Sequence, residues 1–175
     1  WETCANLLPH VQAVLSHEEG GFNTETKEIA DLYFQGARWL DHVALYDKAL
    51  EWYIKALAIY EKILDANHPI IAAIYNNIAG VCKALGEFDK ALVWYEKALP
   101  IVEKNLDKEH SNTAATYNNI AGVYQALSEY DKALIWYEKA LPIVEKDLGK
   151  EHPNTAAIYN NIAGIYQALG EYDKA

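Results

Sequence analysis

The chain has 175 residues, 51% hydrophobic and 23% charged, a balance that excludes disorder and is enough for one domain with a sizeable core. A formal net charge of -10 with no basic stripe sets aside nucleic-acid binding and an anionic membrane surface, because both need cations to meet phosphate. No apolar run is long enough to span a bilayer, and no charged-then-apolar signal segment opens the sequence.

Residues 1–29 come first. Leu7, Leu8, Val11, Val14 and Leu15 form a helical apolar stripe, and "EEGGFN" ends it. The segment is expected to cap the unit that follows. The chain opens at Trp1 and contains no methionine, so it reads as a piece of a longer protein. Cys4 and Cys82 lie far apart and offer neither a disulfide framework nor zinc spacing, which fits a reduced, cytoplasmic setting.

From residue 30 onward the dominant signal is a repeat with a period of 42. Residues 72–113 and 114–155 align without a gap and differ at 9 positions. Residues 30–71 hold the same register, and residues 156–175 restart the unit. The letters Leu32 to Gly36 resemble a viral protease cleavage site, but Leu32, Tyr33, Ala37 and Leu40 fall opposite Ile74, Tyr75, Ala79 and Cys82 and so belong to the repeat.

Each unit predicts two helices. Tyr75, Ile78, Ala79 and Cys82 share one helical face, and Gly86 follows as a helix stop. A second helix starts near Asp89 and carries Ala91, Leu92, Tyr95, Ala98 and Leu99 on one side. Such a hairpin cannot bury both apolar faces alone, and stacking on its neighbours makes a solenoid. Pro100 and Pro142 sit midway along second helices, where proline removes a hydrogen bond, so each is expected to be a tolerated bend.

The pattern Tyr75, Ile78, Ala79, Gly86, Phe88, Ala91, Tyr95, Ala98 resembles the tetratricopeptide repeat (TPR). The 42-residue unit is similar to the variety found in kinesin light chains and nephrocystin-like proteins. This resemblance implies an all-α, right-handed superhelical solenoid of antiparallel helix pairs, with first helices lining a concave groove that takes an extended peptide or a helix of a protein partner. A shorter resemblance joins residues 1–20 to the segment that links repeats to the core of STAND signalling ATPases. It implies a sensor or autoinhibitory arm, although no phosphate-binding loop is present here.

The candidate groove residues follow from helix phase and that resemblance. Asn76-Asn77, Asn118-Asn119 and Asn160-Asn161 recur within first helices, although asparagine is a poor helix former. Asn76, Gly80 and Lys83 lie away from the apolar face, as do Asn118 and Gln125, and Asn160 and Gln167. The first asparagine of each pair is read as a reader of peptide backbone, because an amide both donates and accepts. For the second, groove contact and a structural role both stay open. Repeat one departs from the pattern with Phe34, Arg38 and Asp41, so the groove is not uniform. With Lys83 the lone cation among these matching positions, a neutral or mildly basic partner suits the chain better than an acidic one.

His68, His110 and His152 are read as helix-start residues rather than metal ligands, since equivalent solenoid positions lie too far apart to share one ion. Trp52, Trp94 and Trp136 are expected to pack, or to form a second contact face. No catalytic set stands out from the repeat, so neither enzyme activity nor a cofactor is expected. The last helix, which restarts the unit, could also pair with a second copy and self-assemble.

Overall fold

Every described element of the chain is an α-helix, and the starts of the first helices follow the 42-residue repeat. The structure, a computed structural model, describes residues 26–105 and 111–170. Among the described residues seven helices run in order: α1 (Lys27–His42), α2 (Tyr46–Ile63), α3 (Pro69–Ala84), α4 (Phe88–Asn105), α5 (Ser111–Ala126), α6 (Tyr130–Leu148) and α7 (Pro153–Leu169). They fall into two compact units, divided between Glu87 and Phe88. The first unit contains α1 to α3, and the second α4 to α7. Within each, antiparallel helix pairs stack side by side, the building pattern of a helical solenoid. The expected N-terminal capping helix lies outside the described residues.

Local chemistry sets the helix ends. Thr26 caps α1, its hydroxyl accepting from Ile29 N at 3.4 Å. His68 and His152 cap α3 and α7 in the same way. Their Nδ1 atoms accept from Ile70 N at 3.2 Å and Asn154 N at 3.1 Å, and Pro69 and Pro153 occupy the first helical turn. The recurring histidines are therefore helix starts, as their spacing implied; His110 lies outside the described residues. At the other end of each first helix one residue turns left-handed: Ala44 (φ 58), Gly86 (φ 77), Ser128 (φ 59) and Gly170 (φ 76). Around Ala44 the amides of residues 44 and 45 return to Asp41 O and Leu40 O at 2.9 and 2.8 Å, the Schellman closure. The same pair of bonds recurs around Gly86 and Ser128.

Pro100 and Pro142 are exposed, and α4 and α6 continue through them. Each removes one backbone donor on a face already in water.

The cores follow the sequence stripes. In the first unit Ala37, Ala49 and Ala56 are fully buried, and their small side chains let α1 and α2 approach closely. Leu40, Tyr53 and Ile74 fill the space around them. Burying a leucine such as Leu40 contributes about 2 kcal/mol. In the second unit Ala121, Ala133 and Ala140 take the spacer role, with Tyr137, Ile158 and Ile165 as bulk. Polar ties join each second helix to the next first helix within a unit. Tyr75 donates its hydroxyl to Glu61 Oε1 at 2.9 Å, Tyr117 donates to Glu103 Oε1 at 2.7 Å, and Tyr159 donates to Glu145.

Gly36 marks a local departure in repeat one. Later repeats carry Ile78, Ile120 and Ile162 at that position. The ring of Trp52 lies over Gly36, where any Cβ would overlap it, and Trp52 is buried edge-on against Tyr33. Within the second unit, where Ile120 takes that position, Trp136 is only half-buried and Lys139 stacks on it at 4.1 Å; Trp94 is half-buried too, with Lys97 at 4.3 Å. The tryptophans thus pack, and two of them also carry a cation. No described helix is long and apolar enough to cross a membrane.

Candidate functional site

Helix phase turns one face of each first helix away from its core, and in the second unit that face borders a pocket of about 340 Å³. The walls come from α5 (Ala114, Ala115 and Asn118) and α7 (Asn154, Ala157, Ile158 and Asn161). Val144, Asp147 and Leu148 near the end of α6 complete the lining, with Val144 buried and Asp147 exposed. The lining is mainly aliphatic, with three amides and one carboxylate at its polar positions. Ligand sites combine these same elements: apolar area for affinity and a few polar groups for orientation.

The pocket is open because of residue size. The positions of Ala115, Asn118 and Val144 correspond in repeat one to Asp31, Phe34 and Tyr60. There Tyr60 is fully buried and donates its hydroxyl to Asp31, while Phe34 packs against Tyr53 with ring centroids 6.0 Å apart. Burial first, and Asp31 second, raise the Tyr60 phenol well above its ordinary value. Repeat one fills with its own aromatics the place that repeat three leaves free.

One polar arrangement supports this pocket. Tyr137 on α6 is buried, and its hydroxyl donates to Gln125 Oε1 on α5 at 2.8 Å. The Asn161 amide on α7 also hydrogen-bonds that hydroxyl. Burial pushes the Tyr137 phenol up to about 12, against the opposing effect of Asn161. A single tyrosine thereby joins three helices. Gln125 and Asn161, both read from sequence as groove residues, have a structural partner in it.

In the first unit Arg38, Asp41, His42, Tyr53 and Asn77 line a smaller opening of about 270 Å³. Partial burial raises the Asp41 carboxyl, with His42 opposing. Burial first, and Asp41 second, raise the Tyr53 phenol, while Arg38 acts the other way. This opening is ionic where the other is aliphatic.

The remaining sequence candidates are placed as follows. Phe34 is buried in the first unit's core and offers almost no surface to a partner. Asn76, Asn77, Lys83, Asn118, Asn119 and Gln125 are half-buried, and burial lowers the Lys83 ammonium below its usual value. Asn160 and Gln167 are exposed on α7 and line neither opening. At Gly80 and Gly164 an added Cβ would meet nothing, so that face has room. The structure therefore brings together Asn118 with Asn161, and Arg38 with Asn77. Sequence reading did not single out Asn154 and Asp147 as groove residues. Asn154, Ala157, Ile158 and Asn161 stand at i, i+3, i+4 and i+7, a signal that could have found the first of them. Among the described residues no group of three or more histidines, cysteines or carboxylates is placed to hold a metal ion.

Comparison with known proteins bears on this arrangement. No curated protein matches the chain. Among solved structures, BtubC (BKLC) from P. vanneervenii superposes with a TM-score of 0.84 at 24% identity, over 99% of this chain and 69% of that one. Kinesin light chain-type, nearly identical TPR-like repeats from Podosopora anserina superpose with a TM-score of 0.78 at 24% identity, over 98% and 81%. The apo form of RapI gives 0.79 at 18% identity, over 98% and 46%. At these identities the likeness is one of fold, and the fold is close to kinesin light chain-like repeats. The tetratricopeptide repeat profile itself matches residues 29–104 and 112–175, most of the sequence, and the chain belongs to that family.

Proposed function

We propose that this chain is a protein-interaction scaffold which takes an extended peptide or a helix of its partner on the first-helix face. The reading rests on the pocket between α5 and α7, where Asn118, Asn154 and Asn161 stand among aliphatic side chains. Amides there can pair with a peptide's N–H and C=O groups, and the alanines leave space for its side chains. Asn76, Asn118 and Asn160 are assigned to read backbone, with Lys83, Asn119 and Gln167 beside them. Arg38 and Asn77 serve the ionic opening of the first unit. Gln125 and Asn161 act mainly by holding Tyr137. The partner is neutral or mildly basic, in keeping with the net charge of -10.

The test is affinity capture of the partner by the chain and by a variant with Asn76, Asn118 and Asn160 all changed to alanine. Weaker capture with unchanged helicity and melting temperature is expected. Unchanged capture by a folded variant overturns the assignment.

A further inference from the structure

Building on that reading, we infer that the pocket between α5 and α7 holds the side chain of a lysine or arginine from the partner segment. Three observations lead there. Ala114, Ala115, Ala157 and Val144 supply aliphatic walls, which suit the methylene stem of a long basic side chain. Asp147 is the one ionisable group among the described residues of the lining, and it is exposed, so the charged head of such a side chain can meet it while staying in water. The amides of Asn118 and Asn154 can turn an oxygen acceptor toward a donor-only group at little cost, since an amide can rotate to present either end.

An acidic side chain would meet Asp147 with like charge and would find no cation in the described lining. A leucine would fill the walls but leave the carboxylate and the amides to water. A tyrosine has the right bulk, judged by Tyr60 at the same place in repeat one, but there the hydroxyl has Asp31 within the walls. In repeat three that position is Ala115, and the carboxylate of the lining is instead the exposed Asp147 on α6. Asp147 itself stands where repeat two has Asn105, so the charge is particular to this pocket.

The experiment uses the whole chain immobilised and challenged with peptide pools of degenerate flanks and a fixed central Lys, Arg, Tyr, Leu or Glu. The expected result is retention of the Lys and Arg pools over the Glu pool. Asp147→Asn should reduce that retention by about fivefold, as loss of a partly exposed ion pair would. A filled variant, Ala115→Asp with Val144→Tyr, imports the pair found in repeat one and should abolish retention while the helices remain. Preference for Leu or Tyr, or retention indifferent to Asp147→Asn, overturns this inference and leaves the groove reading standing. Retention of no pool, or retention untouched by the filled variant, overturns both.

Discussion

Tyr137 donates its hydroxyl to Gln125 across the α5–α6 interface at 2.8 Å and is itself held by Asn161 from α7. Tyr137→Phe keeps the ring and removes these bonds, leaving two amides to find water at a half-buried site. The expected loss is about 1 to 2 kcal/mol by urea unfolding, the range for hydrogen bonds whose partners stay behind. A cycle with Gln125→Ala should show coupling of about 1 kcal/mol, and additivity within about 0.3 kcal/mol would rule out the bond as a stabilising contact.

The left-handed residues after the first helices give a sharper test. Ala44 and Ser128 carry a Cβ at φ 58 and 59, where Gly86 and Gly170 carry none. The steric cost for an L-residue there is about 1 to 2 kcal/mol, partly offset by the greater chain entropy that glycine loses on folding. Ala44→Gly and Ser128→Gly should each stabilise by about 0.5 to 1 kcal/mol in thermal or chemical unfolding. Gly86→Ala should do the reverse.

Gly36 should tolerate no side chain while Trp52 stays in place. Gly36→Ala is expected to destabilise by about 1 to 3 kcal/mol, as overpacking does, with Trp52 forced off the helix. Tryptophan emission should shift to the red as that ring meets water. Unchanged emission and stability would show that the ring does not rest on this glycine.

Alkaline titration reads the raised phenols. Burial first, then Glu61, pushes Tyr75 up to about 12, and burial does the same to Tyr137. A raised phenol favours the neutral, folded form. Its contribution is therefore fully present below about pH 10, the ordinary phenol value, and is lost as pH rises toward 12. Absorbance at 295 nm, taken as the difference between the chain and its Tyr75→Phe and Tyr137→Phe variants, should show these two tyrosines ionising only as the fold opens, and a difference signal near pH 10 in the folded chain would contradict their raised values.

Fold was legible because the local signals agreed: apolar spacing, helix starts and helix stops fell in one register, even where Ala44 and Ser128 stand in for glycine. The site was less legible, for physical reasons. Gln125 and Asn161 stand on the predicted face, but their tie to Tyr137 depends on α6 lying between them, which no single-helix projection contains. Tyr137 is the counterpart of Tyr95 on the apolar stripe, and a stripe position gives no sign of where its hydroxyl points. Phe34 seemed to interrupt an asparagine row and instead entered the core, because Tyr53 provides a ring for it to pack against. The pocket arises from three substitutions on two helices, a difference in volume between repeats that periodicity cannot report.

The bonds from Tyr75 to Glu61, from Tyr117 to Glu103 and from Tyr159 to Glu145 each span 14 residues of chain. Segments of that order meet within about 10 to 100 ns, and their closure entropy is small. Assembly of either unit can therefore begin at any helix pair and spread to its neighbour, without a search for distant partners. A lesion in one repeat should then fray that repeat first and leave the next protected in hydrogen exchange.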